Sequence, residues 1–154
     1  EHARVGRYAP AVPLLEVALQ LDPSAVWAWF LLGRCHDGLG RDASAVACYG
    51  TCLALTPDAH AAWFNRGLAN LRSGRFGEAE FDFTRVTELR ADLADAYFNL
   101  GLARQARRDH AGAVEDFGHA LDRGAAYTRV YFARATSRSQ LKDIEGAAAI
   151  ASKA

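Results

Sequence analysis

The residues with the most reactive side chains are three cysteines and a histidine in the first third of the chain. Cys48 and Cys52 are four residues apart, and Cys35 stands next to His36. Thiolate and imidazole groups bind zinc when a fold brings them together. Position 52, however, belongs to the same series of small residues as Ala18, and a free cysteine there acts as a small apolar residue. We therefore expect these cysteines to pack in the interior, with no metal and no cofactor.

Motifs for catalysis are missing from the sequence. It contains no His-Glu-x-x-His, no Gly-x-Ser-x-Gly and no phosphate-binding loop with its lysine. The segment from Gly38 to Ala43 is superficially similar to a dinucleotide-binding loop, but that motif needs a preceding strand. The remaining candidates, His36, His60, His110 and His119, share no spacing with one another or with carboxylates, and we expect them on the surface. We predict that the chain is not an enzyme.

Composition and charge narrow the class of protein further. The 154 residues are 51% hydrophobic and 23% charged, and 18 basic residues balance 18 acidic ones. A net charge of zero does not favour nucleic-acid binding. No apolar run approaches the roughly 20 residues that span a bilayer, so no membrane association is expected. The odd number of cysteines favours a reducing compartment, the cytoplasm. Because the chain begins at Glu1 in the middle of a repeat, we expect it to be a piece of a longer protein.

Small and aromatic residues recur along the whole chain with a period of 34. One series of small residues consists of Ala11, Ala45, Ala79, Ala113 and Ala147, and the other of Gly33, Gly67, Gly101 and Ala135. One aromatic series consists of Trp29, Trp63, Tyr97 and Tyr131, and the other of Tyr49, Phe83 and Phe117. A fixed period of this length predicts stacked units, each of which buries its apolar face against its neighbours.

Within one period the apolar spacing predicts two helices. Apolar residues three and four positions apart indicate a helix from Ala25 to Gly38, and a turn follows at Leu39 to Arg41. Glycine recurs at the end of this turn, as Gly6, Gly40 and Gly74, where a left-handed residue can close a helix. A second helix is predicted from Asp42 to Leu55, with Pro57 after its end.

This arrangement of small residues, aromatic residues and closing proline resembles the tetratricopeptide repeat. The family's Trp-x-x-x-Gly pattern is present at Trp29 to Gly33 and at Trp63 to Gly67, and its Ala-x-x-x-aromatic pattern at Ala45 to Tyr49 and Ala79 to Phe83. The resemblance implies an all-α, right-handed superhelix of antiparallel helix pairs, with about nine helices. It divides the chain into the second half of a cut repeat (1–23), three repeats (24–57, 58–91 and 92–125) and a nearly complete last repeat (126–154).

Departures from the pattern predict irregular ends. Pro13 lies near the limit of the first helical turn, so we expect a distortion in the helix that contains it and Pro10. In the last repeat Ala135 replaces the glycine and Ala151 replaces the aromatic residue, so the C-terminal end should pack worst. Neither end has a polar capping helix, which makes self-association through the ends a candidate interaction.

The resemblance also implies where a partner would bind. In this family the first helices line a concave groove, and the inner positions follow the aromatic anchor. They are Phe30, Phe64, Phe98, Phe132, Asn65 and Asn99, with Arg34, Leu68 and Leu102 one turn further on and the extra Trp27 at the N-terminal repeat. An asparagine amide can donate to and accept from the backbone of an extended peptide. Arg34, Arg72 and Arg129 are weaker candidates for binding an acidic peptide.

Three functions remain open from sequence. The leading hypothesis is a non-catalytic protein-interaction scaffold that binds an extended peptide in its groove. The second is a recruiting region of a larger enzyme of the kinase or glycosyltransferase type, families in which similar repeats occur. The third is a self-assembling scaffold built by end-to-end stacking.

Overall fold

A computed structural model of the protein describes residues 8–125 and 128–151, with side chains as far as residue 145. These residues form helices and turns without a strand, which confirms the all-α class. The helices are α1 (Ala11–Leu21), α2 (Val26–Gly38), α3 (Asp42–Leu55), α4 (His60–Arg72), α5 (Phe76–Leu89), α6 (Ala94–Ala106), α7 (His110–Asp122) and α8 (Thr128–Ala151). The chain divides into two compact units: Glu1–Leu89 holds α1 to α5, and Arg90–Ala154 holds α6 to α8.

Consecutive helices within each unit pack against each other, and the two periodic series meet at their crossings. A Cβ atom added to Gly33 of α2 would lie 2.6 Å from Cε1 of Tyr49 on α3, and one on Gly101 of α6 would lie 2.6 Å from Cε1 of Phe117 on α7. Both rings are fully buried. The glycine therefore lets an aromatic ring sit against the backbone of the partner helix, and this contact explains why both series keep one period.

Short turns join the two helices of each hairpin. Gly40 and Gly74 have φ of 70° and 72°, as the glycine series predicts, and Arg108 takes the same conformation with φ of 67°. A side chain at positive φ is strained, so Arg108 is a weak point in an otherwise regular turn. The following helix is anchored by Asp109, whose carboxylate accepts a hydrogen bond from the Gly112 amide at 2.9 Å.

Two tryptophans form hydrogen bonds to the loops that precede α2 and α4. The indole Nε1 of Trp29 donates to the carbonyl of Pro23 at 2.9 Å, and that of Trp63 donates to the carbonyl of Pro57 at 2.8 Å. The aromatic residue of each of these two repeats is therefore hydrogen-bonded to the proline that precedes its helix.

The last repeat differs from the two helices expected. Within residues 8–125 and 128–151 there are eight helices rather than nine, because α8 runs without a turn for 24 residues. The position that corresponds to Gly40, Gly74 and Arg108 is Lys142, which is helical. No glycine favours a turn there, and Ala151 supplies no ring for a second helix to bury, so the first helix simply continues.

The irregularity at the N-terminus lies at Ala9 and Pro10 rather than at Pro13, where the sequence predicts a distortion. Tyr8 is helical, Ala9 and Pro10 form a turn, and α1 begins at Ala11. Pro13 consequently falls in the first turn of α1, where no amide hydrogen is needed. Gly6 lies outside the described residues. Among the described helices, none combines the length and the apolar character that a bilayer crossing needs.

Candidate functional site

The first helices of the two complete hairpins in the first unit, α2 and α4, contact each other and border an apolar cavity. Trp27, at the second position of α2, is 59% exposed. Together with Phe30 it lines a cavity of about 670 Å³, here called the tryptophan cavity, whose other walls include Ala25, Val26, Ala59, Ala61 and Ala62. Asp22 contributes a carboxylate to the lining. This size and character suit a large apolar side chain of a partner.

The two phenylalanines predicted on this face are half-buried, since each packs one side against the core. The ring of Phe30 lies 5.8 Å from that of Tyr49, and the ring of Phe64 lies 5.6 Å from that of Phe83. These tilted and edge-on contacts fix both phenylalanine rings. Their remaining surface is available for contact with a ligand.

The polar and variable positions of α2 and α4 are accessible in different degrees. Asn65 is half-buried, and among the described residues its amide has no side-chain hydrogen bond. Leu68, one turn away, is also half-buried, whereas Arg34 on α2 is exposed. The amide of Asn65 is therefore free to donate to and accept from a ligand.

The corresponding residues of the second unit are more strongly engaged. Phe98 is only 4% exposed, because its ring packs 5.9 Å from that of Phe117 and the guanidinium of Arg129 lies 4.7 Å from its centre. The amide of Asn99 donates to the carbonyl of Asp95 at 2.7 Å. Phe98 thus presents almost no surface to a ligand, and Asn99 keeps only part of its hydrogen-bonding capacity.

Phe132 is the exposed member of the phenylalanine series. It lies on α8, is 75% exposed and lines a cavity of about 470 Å³ together with Leu102 of α6. We call this the phenylalanine cavity. Gln105 stands in its wall, with its amide bonded to the hydroxyl of Ser137 at 2.9 Å. Leu102 and Phe132 therefore line one cavity of the second unit.

Two of the three arginines proposed for an acidic ligand are already engaged. Arg72 forms ion pairs with Asp37 at 2.5 Å and with Asp42 at 2.7 Å. Arg129 covers the ring of Phe98. Arg34 alone of the three has no partner among the described residues. The three arginines therefore do not assemble a cluster of positive charges for an acidic ligand.

The cysteines are buried free thiols rather than an assembled metal site. Burial raises the pKa of the Cys35 and Cys52 thiols, and burial followed by the nearby Glu16 raises the pKa of Cys48 to about 11. A thiolate is the form that binds metal or reacts, and it is disfavoured at all three positions. The segment from Gly38 to Ala43 joins α2 to α3 and has no strand before it.

The expectation of surface histidines is wrong at two positions. His36 is 9% exposed and His110 is 8% exposed, whereas His60 and His119 are half-buried. The burial of this pair could not be inferred from their lack of spacing to carboxylates. Burial, followed by the charge of Arg41, lowers the pKa of His36, so its imidazole is neutral near pH 7.

Sequence reasoning missed a buried polar network between α4 and α5. Asp82 is 1% exposed and accepts hydrogen bonds from Nη2 of Arg66 at 2.7 Å and from the amide of Asn70 at 2.9 Å. The guanidinium of Arg66 also lies 4.7 Å from the ring centre of Trp63. The signal was present in the sequence, since Arg66 occupies a position that is Leu32 one repeat earlier.

Comparison with protein families decides the relationship. Two models described as tetratricopeptide repeat match, one over residues 3–65 and the other over residues 60–93. Together they span residues 3–93, more than half of the chain. The chain belongs to the tetratricopeptide-repeat family. No curated protein matches the chain significantly.

Solved structures share the tetratricopeptide-repeat fold at low sequence identity. MamA residues 41 to the end from Desulfovibrio magneticus RS-1 is 20% identical with a TM-score of 0.85, covering 98% of this chain and 85% of that one. The first tetratricopeptide repeat of Spaghetti (RPAP3), bound to the HSP90 peptide SRMEEVD, is 21% identical with a TM-score of 0.73, covering 76% and 93%. The Sgt2 domain from Aspergillus fumigatus is 20% identical with a TM-score of 0.71, covering 78% and 81%.

Proposed function

We propose that this tetratricopeptide-repeat chain is a non-catalytic interaction scaffold whose first helices bind an extended segment of a partner protein. The observation that carries the proposal is the exposure of Trp27 at the rim of the tryptophan cavity. A large aromatic residue beside an apolar cavity is the usual composition of an interaction hot spot. The solved complex of Spaghetti with a peptide supports the assignment, since it has the same fold.

The polar part of the interaction is assigned to Asn65. Its half-buried amide has unused donors and an unused acceptor among the described residues, and a peptide backbone offers both complements. Asn99 contributes less, because one of its amide hydrogens is already bonded to the Asp95 carbonyl. Phe30 and Phe64 add apolar contact, and Arg34 and Leu68 set local preference.

In the second unit the proposed contact residues are Phe132 and Leu102, at the phenylalanine cavity. Phe98 is omitted from the contact set because it is buried. This cavity suits a large apolar side chain of a partner, as the tryptophan cavity of the first unit does.

The test is a selection of peptides from a random library on the intact chain, followed by affinity measurements with single variants. Trp27→Ala should weaken binding of selected peptides at least tenfold, and Asn65→Ala should weaken it more than Asn99→Ala does. Tyr131→Ala is the matched control, because Tyr131 is 58% exposed but lines neither cavity. If peptides bind the folded double variant Asn65→Ala, Asn99→Ala and the folded Trp27→Ala variant as tightly as the wild type, the proposal fails.

Self-association is a second candidate, favoured by an exposed apolar stripe on α1. Leu14, Val17 and Leu21 are 72%, 54% and 84% exposed and lie three and four residues apart, on one face of the helix. A second copy of the chain could cover this stripe. Light scattering over a concentration series should show a mass that rises with concentration and returns to the monomer value in Leu14→Glu, Leu21→Glu. A constant monomer mass in the wild type would exclude this candidate.

A further inference from the structure

A cavity of about 510 Å³ lies between the second helices of the first unit, α3 and α5, and is floored by α4. Val46 comes from α3, Arg66 and Asn70 from α4, and Gly77 and Phe81 from α5. None of these residues lines the tryptophan cavity. We call it the arginine cavity.

Two buried polar atoms at this cavity have no partner among the described residues. They are Oδ1 of Asn70, a residue that is 3% exposed, and Nε of Arg75. The amide nitrogen of Asn70 donates a hydrogen bond to Asp82 at 2.9 Å. Flipping the Asn70 side chain, so that Oδ1 and the nitrogen change places, would lose this hydrogen bond. Two residues that line the cavity therefore carry one unused acceptor and one unused donor, and both of these atoms are buried. A buried polar group without a partner is unfavourable, and a ligand that supplies the partner is bound the more tightly.

The same cavity has an apolar side. Val46 stands on one wall and Phe81 on another, and Phe81 is 58% exposed although its ring is fixed edge-on against Trp63 at 5.8 Å. An aromatic ring that is held in place but left open to solvent is a preformed contact for an aliphatic group.

The charges at the cavity favour an uncharged ligand. Arg66 is neutralised by Asp82 at 2.7 Å, and the lining also contains Arg75 and Glu78, one charge of each sign. The positive and negative groups are balanced, so neither a phosphate nor a cation finds a site of opposite charge. What fits is a neutral group with an N–H for Asn70, a carbonyl for Arg75 and an aliphatic portion for Phe81.

We propose that the arginine cavity is a second peptide-binding site, independent of the site on the first helices. It takes an uncharged segment with one aliphatic side chain between Val46 and Phe81, while an adjacent peptide group bonds to Asn70 and Arg75. The ion pair of Arg66 with Asp82 holds the Asn70 amide in the receptive orientation.

The repeat pattern adds an independent argument. Position 66 is leucine in two other repeats, as Leu32 and Leu100, and position 81 is Ala47 and Glu115 there. The stacking of hairpins is therefore achieved without Arg66 and Phe81. These residues make one hairpin different from its neighbours at the place where the cavity lies.

The experiment is an NMR titration of the full chain with N-acetyl-leucinamide, which carries one aliphatic side chain, two amides and no charge. We expect saturable shifts of the Gly77 backbone amide, the Arg66 Nε–H and the Trp63 indole, with a Kd in the millimolar range for so small a ligand. The Trp27 indole reports separately on the tryptophan cavity. Shifts at Trp27 alone would overturn the proposal, and so would equal shifts of Gly77 and Arg66 with sodium acetate or sodium phosphate.

Gly77→Leu is the variant that tests the location. A Cβ at Gly77 meets no atom within 4 Å, so a side chain has open space at this position, and we expect the leucine to occupy the cavity. Binding at Arg66 and Trp63 should weaken at least tenfold, while Gly77→Ala, which adds only a methyl group, should keep it. Arg75→Met removes the donor and keeps an apolar chain, and should weaken binding several-fold. Unchanged affinity in both Gly77→Leu and Arg75→Met would refute the site, whatever happens to binding on the first helices.

Discussion

Gly101→Ala tests the contact that sets the period of the fold. The new methyl group would lie 2.6 Å from Cε1 of Phe117, a ring with no exposed surface and no room to retreat. Overpacking of this kind costs about 1 to 3 kcal/mol, and replacing glycine by alanine inside a helix returns about 1 kcal/mol. We expect a net loss of about 1 kcal/mol in the free energy of unfolding, measured by urea denaturation and far-UV circular dichroism with an unchanged m-value.

The control is Gly118→Ala in the neighbouring helix α7. The nearest atom to its new Cβ is Nη2 of Arg134 at 3.5 Å, an ordinary contact with a flexible side chain, so only the gain in helix propensity remains. This variant should be more stable than the wild type by up to about 1 kcal/mol. Phe117→Leu combined with Gly101→Ala should lose less than the sum of the two single changes, because the smaller side chain accepts the methyl group. Equal stability of Gly101→Ala and Gly118→Ala would refute the reasoning.

Three further predictions concern single side chains. Arg108→Gly should stabilise the protein by about 1 kcal/mol in thermal unfolding, because φ of 67° suits glycine; a destabilised variant would contradict this. Burial, opposed by Arg104, raises the pKa of Asp116 from 3.8 to about 6, so the folded state binds the proton more tightly than the unfolded state. The contribution of Asp116 to the free energy of unfolding should therefore rise by up to roughly 3 kcal/mol as pH falls from about 6 to about 4. Asp116→Asn should lose this pH dependence. Arg66→Leu should lower the free energy of unfolding by about 3 to 5 kcal/mol, because Asp82 is left without its ion-pair partner. The double variant Arg66→Leu, Asp82→Cys should recover most of this loss. Equal losses in the single and the double variant would contradict the pairing.

The helical hairpins could be predicted because their determinants are local and periodic. Gly33 and Tyr49 must meet at the crossing of two helices, so both repeat with the hairpin. The structure of the last repeat was harder to predict from the sequence. Arg108 and Lys142 both lack the glycine of the turn, yet the chain turns at Arg108 and stays helical at Lys142. The difference lies in packing, since Phe117 can be buried after the first turn, whereas Ala151 has no ring to bury after the second.

The helix on which each candidate residue lies was predictable from the sequence, and its solvent exposure was less so. The register placed Trp27 and Phe132 on the first helices, and both are exposed. It placed Phe98 there as well, but the ring is covered by Arg129 and packed on Phe117. Whether a side chain at a given position is free depends on contacts from helices distant in sequence, and a repeat register alone does not contain them.

Residues that recur with the 34-residue period have a different role from residues that depart from it. Gly33, Gly67 and Gly101 each lie against an aromatic ring of the partner helix, and the last repeat, which has Ala135 in place of the glycine, has a single helix among the described residues. Trp27 and Arg66 lie outside these series, since their counterparts one repeat away are Ala61 and Leu32. Trp27 and Arg66 are therefore the residues to test first for binding, since each departs from its counterparts in other repeats and lines a cavity of the first unit.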